Sequence, residues 1–492
     1  MWWTRLSLVA IAVMLGAPNW LAVIGLAEPA LLSSEPPAEG TLPKTQSNVI
    51  LLTFDNPIEL PSGPPLSVAP IGGGQDEGDW FLCSVEPDGV TLKAIEDGPV
   101  LLDRTWYRIA PTADFEVGPF TIDLCTLLGD ANGSGRVTTA DYVEVKAHMG
   151  EYTDARYDLN GTGRVTTADY SVVKEHLGRR APAKPPSGMV LVPAGEFQMG
   201  DTFNEGNSAE LPVHTVYLSS YYIDIYEVTN QQYATALNWA LGHGGLITVT
   251  SDAVYQAGSG TSYLYCGINY SRESGITWSG STFGVVADKE DHPMTDVSWY
   301  GAVAYCNWRS AMESKPLCYD LYTWTCDFGV AGYRLPTEAE WEKAAAWDPV
   351  QQRHFRFGEH TDGCGPNCLD GHRANYGWSG DPYEEDAGPD TTPVGYYDGT
   401  THGAYMTQNA QSYYGCYDMS GNVWEWCHDW YGAYATTPQT NPTGPDAGTY
   451  RVLRGGCWGD LNPVDVRSAF RYGGTPGLRE YIGGFRCSVG TP

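Results

Sequence analysis

Basic residues are scarce in this 492-residue chain: 28 Lys and Arg stand against 59 Asp and Glu, for a formal charge of −31. Phosphate-backbone binding needs clustered Lys and Arg, so nucleic acid is not expected as a partner. An acidic surface favours solubility and the binding of cations. Long apolar runs are also missing beyond residues 1–27, which excludes a later membrane-spanning helix. Three catalytic signatures are absent: G-x-S-x-G, H-E-x-x-H and the phosphate-binding loop. Cys-x-x-Cys is absent as well, which argues against a thiolate metal site.

What is present falls into successive blocks. Residues 1–27 carry Arg5, an apolar run interrupted by Pro18 and Asn19, and small residues near their end. That pattern reads as a secretory signal, with an uncleaved anchor as the alternative. A secreted chain meets an oxidising compartment, where the 12 cysteines are expected to pair. Residues 28–47 are rich in Pro, Ser and Glu and read as a linker. Over residues 48–127, NVILLTF, PLSVAPI, GVTLKAI and TWYRIAP are short β-type runs between Gly, Pro and Asp. A small β-sandwich is expected there, with its two cysteines, Cys83 and Cys125, bridged.

An internal repeat follows over residues 129–178. Each copy carries D-x-N-x-[ST]-G-R-V-T-x-x-D. Oxygen side chains recur at alternating positions: Asp130, Asn132, Ser134, Thr138 and Asp141, then Asp158, Asn160, Thr162, Thr166 and Asp169. Arg136 and Arg164 stand where a backbone carbonyl is needed, each just after the Gly of the sharp turn. Hard oxygens in this spacing suit Ca2+, and an amphipathic helix follows each loop. The pair of motifs resembles a type I dockerin, a small all-α module. The resemblance implies calcium in both loops and docking to a cohesin on a partner or scaffold. It assigns partner choice to Thr139, Ala140, Thr167 and Ala168. The near identity of the copies suggests a surface readable in either orientation. The implied setting is extracellular and bacterial, in an assembly that degrades polysaccharide.

A Pro-rich linker, residues 179–187, leads to a large domain over residues 188–492. Thr229 and Ser298 read as helix caps, and PTEAEWEKAAAW as a helix with Pro336 at its start. In order, VPAGEFQMG, EVTNQQY, TDVSW, YRLPTEAEWE, GNVWEW and GGFR make this domain resemble the formylglycine-generating enzyme family, or sulfatase-modifying factors. The resemblance implies an α+β, C-type-lectin-like fold with little regular structure. It implies two calcium sites: Asp418, Gly421, Val423 and Glu425 in one, and Asn375, Tyr376, Asp386 and Gly388 in the other. It also implies a Cys306–Cys487 disulfide. Cys318/Cys326 and Cys364/Cys368 are close enough in sequence to pair locally, and Cys266, Cys416, Cys427 and Cys457 stay unassigned.

One part of the resemblance fails. Active members hold Cu(I) on two cysteines and oxidise a sulfatase cysteine to formylglycine. Counted along RGGCWGDLNPVD, those two positions are Asp460 and Asp465. Carboxylates are hard ligands and unsuited to Cu(I), so copper is not expected. Asp460 and Asp465 read as solvated loop carboxylates or an acid pair, and Cys457 as a buried or a reactive thiol. The expected function is a dockerin-tethered, calcium-stabilised binding or accessory module, with a ligand pocket walled by Trp424, Trp426 and Trp458. The alternatives are an oxidoreductase that makes formylglycine through Cys457, and a purely structural subunit.

Overall fold

The computed structural model describes short segments between residues 31 and 126, then residues 136–149, 164–177, 185–258, 264–268, 275–358, 369–384 and 390–491. The expected signal segment, residues 1–27, lies outside them, as does most of the linker at 179–187. Among the described residues no helix is long and apolar enough to cross a membrane.

The N-terminal strands form two four-stranded sheets. Leu31–Glu35, Val49–Phe54, Thr91–Glu96 and Phe81–Val85 are neighbours in the first. Thr41–Leu42, Ile122–Thr126, Trp106–Pro111 and Leu66–Pro70 are neighbours in the second. Leu52, Phe54, Leu66, Leu92 and Ile109 are buried, and Phe54 meets Phe115 edge to face at 6.1 Å. Residues 28–47 are therefore not simply a linker, because Leu31–Glu35 and Thr41–Leu42 are strands. Both lie at sheet edges, where a strand needs few apolar residues, so their Ser, Glu and Pro content reads as coil.

Helices α1 (Thr139–Ala147) and α2 (Thr167–His176) are near copies. Thr138 caps the first and Thr166 the second, each by accepting a bond from the backbone N–H two residues on. Asp141 returns the favour to Thr138 N–H at 2.7 Å, and Asp169 to Thr166 N–H at 2.8 Å. Val137, Val145, Val165 and Val173 form the shared core, with Tyr142 and Tyr170 in contact beside it.

In the large domain, α3 (Asn230–Gly242) starts at Thr229 and α4 (Trp299–Met312) at Ser298, as the capping residues predict. Helix α5 (Glu338–Ala346) starts at Thr337, just after Pro336. Short strands and irregular loops make up most of the rest, which is α+β with little regular structure. Strand Trp424–Trp430 runs antiparallel to Arg451–Arg454 and parallel to Gly483–Gly484, and this sheet presents the candidate site.

Helix α5 is buried on every side. Its carboxylates are met by arginines from elsewhere: Glu340 by Arg334, Glu338 by Arg471 and Glu342 by Arg454. Lys343 donates to the carbonyls of Pro193 and Gly195 at 2.8 and 3.0 Å. Buried charge is tolerable only when paired and bonded in this way. Burial pushes the Glu342 carboxyl up, but Arg454 and His354 outweigh it and hold the pKa at about 2.

Candidate functional site

Strand Arg451–Arg454 ends with Arg454 locked beneath α5, donating to Glu342 and to the carbonyls of Ser468, Ala469 and Phe470. The chain then turns through Gly455 (φ +92°) and Gly456 (φ +77°). A Cβ on Gly456 would lie 2.4 Å from Val466 Cγ1 and 2.9 Å from its Cα, so the turn requires glycine. This turn delivers Cys457 against Asp460.

Asp460 Oδ2 accepts the Cys457 backbone N–H at 2.8 Å, and Cys457 Sγ accepts the Gly459 N–H at 3.3 Å. The two side chains also hydrogen-bond each other. Burial, then the Asp460 charge, push the Cys457 thiol well above its usual range. Burial raises the Asp460 carboxyl to about 6, against hydrogen bonds from Cys457 and Trp424. Asp465 sits in a short 3-10 turn, Pro463–Val466, where burial raises its pKa and Arg467 opposes the rise. Neither His428 nor His402 bonds the thiol. His428 contacts the Tyr319 hydroxyl at 3.2 Å, and His402 contacts Asp398 at 3.1 Å.

The residues present do not fit copper. One buried thiol, its pKa pushed up by burial, beside carboxylates is a poor donor set for a soft monovalent ion. Among the described residues no group of three His, Cys, Asp or Glu side chains is placed to hold a metal.

The expected tryptophan-walled pocket is corrected. Trp424 and Trp426 are core residues, 5% and 2% exposed. Trp424 lies against Phe470 and Tyr472, and Trp426 donates to the Val297 carbonyl at 3.0 Å. Only Trp458 is half-exposed, with its ring 5.5 Å from Tyr481 and its indole N–H without a partner among the described residues. In GNVWEW both tryptophans point inward because the strand is buried on both faces.

At the calcium positions the structure redistributes the expected ligands. Both oxygens of Glu425 are held by Arg486, at 2.6 and 2.7 Å, and Trp341 adds a third bond. Asp418 instead accepts the Gly395 N–H at 2.6 Å and lies near Glu227, which sequence reasoning missed. Both carboxyls are buried, and burial followed by the Asp418 charge raises the Glu227 pKa well above the usual range. Glu227 Oε2 has no hydrogen-bond partner among the described residues. The nearest signal in sequence was its place in EVTNQQY. Gly421 (φ +87°) passes so close to the Asn375 carbonyl that a Cβ would fall 2.2 Å from that oxygen. Asn375 is buried, and its Oδ1 also lacks a partner among the described residues. Asn422 joins Asn375 to Glu227, its N–H donating to the Asn375 carbonyl at 2.8 Å and its side-chain amide to Glu227 Oε1 at 3.2 Å, and unpartnered hard oxygens are the donor type that suits a divalent cation. Tyr376 is buried and its hydroxyl donates to the Leu369 carbonyl. Asp386 and Gly388 lie outside the described residues.

Among the cysteines, Cys306 on α4 and Cys487 bring their sulfurs to 3.7 Å in the core, as two thiols. Cys318 and Cys326 hydrogen-bond each other across a hairpin. Cys83 is half-buried, while the Cys125 side chain, Cys364 and Cys368 lie outside the described residues. In the repeat, Asp130, Asn132, Ser134, Asp158, Asn160 and Thr162 also lie outside them. Thr139, Ala140, Thr167 and Ala168 are all exposed on the first turns of α1 and α2.

Residues 128–178 match the Dockerin type I domain, and residues 174–490 match the Sulfatase-modifying factor enzyme 1-like domain. A serine/threonine-protein kinase pkn1 from Chlamydia caviae is 33% identical over 61% of this chain, which spans only 38% of that relative's length. The formylglycine-generating enzyme of Streptomyces coelicolor is 33% identical over 61% of this chain and 88% of its own. The inactive C-alpha-formylglycine-generating enzyme 2 of Bos taurus is 29% identical over 61% of this chain and 88% of its own. With matching residues covering well over half its length, this chain belongs to the sulfatase-modifying factor family and carries a type I dockerin ahead of that domain.

Proposed function

We propose that the large domain is a calcium-stabilised binding or accessory module in which the copper-oxidase centre has been dismantled. The observation that carries this reading is the site's donor set: Asp460 and Asp465 stand at the two copper positions, and the remaining thiol, Cys457, is buried, with its pKa pushed up. The family tolerates such a loss, since one relative bears the name of an inactive enzyme. The dockerin tethers the chain to a cohesin-bearing partner outside the cell through Thr139, Ala140, Thr167 and Ala168, with calcium in both loops. The two N-terminal sheets form a β-sandwich spacer. In the large domain, a C-type-lectin-like scaffold, Asp418, Glu227, Asn375 and the carbonyls of Gly421 and Val423 hold a calcium ion that neutralises the buried carboxyls. Cys306 and Cys487 pair in an oxidising compartment.

The test is mass spectrometry of a Cys-x-Pro-x-Arg peptide incubated with the protein, Cu(I) and oxygen, beside an active family member. The expected outcome is unmodified peptide with this chain and formylglycine with the control. Formylglycine that disappears in Cys457→Ser would overturn the proposal in favour of an oxidoreductase.

A further inference from the structure

Apart from the Gly-Gly-Cys loop, the segments around Asp381 and Tyr396 enclose an open cavity of about 550 Å³. That size is ordinary for a small-ligand site, which spans roughly 300–1,000 Å³. Tyr383, Tyr396 and Tyr405 line it, together with His402, Asp381 and small residues. The rings hold one another in place. Tyr383 and Tyr396 meet edge to face at 5.4 Å, and Tyr396 stacks on His402 at 4.3 Å. Tyr405 stacks on His372 at 4.9 Å.

The ionisable groups of the wall are answered within the protein. Asp381 is buried and accepts the Ser379 hydroxyl and the Tyr383 N–H, both at 2.7 Å. His402 contacts Asp398 at 3.1 Å, and Asp390, whose charge reaches Tyr383, pairs with Lys289. A charged ligand therefore meets no unanswered opposite charge here. What the wall does offer is hydroxyl groups. Tyr396 is only 8% exposed, yet its hydroxyl makes no hydrogen bond among the described residues, and neither does that of Tyr383. A hydroxyl drawn out of water is costly unless it is bonded.

We propose that this cavity binds a neutral glycan, with a pyranose ring against the tyrosines and its hydroxyls bonded to those of Tyr396 and Tyr383. A pyranose has both properties the wall calls for: an apolar C–H face to lie on a ring, and a rim of hydroxyls that donate and accept. A wholly apolar ligand would leave the tyrosine hydroxyls unbonded, and a charged one would lose water without gaining a partner. The proposal names the ligand class of the binding module described above and rests on that reading. The two fail separately, because formylglycine formation concerns the Gly-Gly-Cys loop and sugar binding concerns this cavity.

The proposal is tested by calorimetric titration of the full chain with cellotetraose, xylotetraose, mannotetraose, N-acetyl-argininamide and decaproline. Saturable binding of at least one of the three sugars is expected, at least about tenfold tighter than the arginine compound. Tyr396→Phe keeps the buried ring and removes only the hydroxyl, and should weaken sugar binding about threefold to tenfold. Tyr405→Leu, at a half-buried position, removes a ring and should weaken it by a similar factor, with the melting temperature of both variants unchanged. No saturation by any of the three sugars, equal binding of the arginine compound, or indifference to both substitutions would overturn the proposal. Saturation by decaproline in place of the sugars would overturn it too, reassigning the aromatic wall to an extended peptide.

Discussion

Helices α2 and α5 begin with the same local device and depend on the rest of the chain in opposite ways. Each opens at a threonine cap whose partner acid, Asp169 or Glu340, reaches back to the cap's N–H. Beyond that first turn, α2 buries only Asp169 and Val173 and leaves its partner-facing residues in water. Helix α5 exposes nothing, and every charge on it is answered by a group from another segment. The comparison teaches that a helix-start signal sets where a helix begins, while burial sets what its loss would cost.

The largest effect should come from breaking the α5 side. Arg454→Met leaves buried Glu342 without its arginine, with only His354 and the Gly200 N–H to answer it, and should destabilise the large domain by about 3–5 kcal/mol in urea denaturation. A loss below about 1 kcal/mol would mean that the pair contributes no more than an exposed one. Calcium removal separates the two regions next. Under chelation, hydrogen-exchange protection of α1 and α2 should collapse, while α5 should lose only about 2–3 kcal/mol of protection. Glu227→Gln should shrink that second loss, because it removes a charge that calcium answers; an unchanged loss would place the ion elsewhere. The smallest effect belongs to the caps. Thr166→Ala should cost about 1 kcal/mol, seen as faster exchange confined to α2. The same substitution in the first copy, Thr138→Ala, should match it, and an unequal pair would break the two-fold equivalence of the repeat.

What was legible in the sequence follows the same division. The capping residues Thr229, Ser298 and the Pro336-led start of α5 are local signals, and the structure places helices after each. The repeat was readable because its helices and their caps are encoded within a few residues. The tryptophans of GNVWEW were misread as pocket walls, because period alone does not say that both faces of a strand are covered. Glu425 was expected to serve calcium, but its oxygens go to Arg486, 61 residues away. Glu227 was invisible as the neighbour of Asp418 because the two are remote in sequence. At the Gly-Gly-Cys loop, counting along the motif placed the two aspartates; only the fold revealed that Asp460 accepts the Cys457 N–H in a buried site, where burial and then the Asp460 charge push the thiol pKa up.

The burial of α5 has a consequence for the order of synthesis. Glu342 leaves the ribosome 112 residues ahead of Arg454, and Glu338 133 residues ahead of Arg471. Until those arginines emerge, the acids of α5 have no reason to leave water. The repeat, by contrast, is already complete before the large domain begins. The docking module is therefore made first, and the pairs that bury α5 can form only after the Gly-Gly-Cys strand and Arg471 have been made.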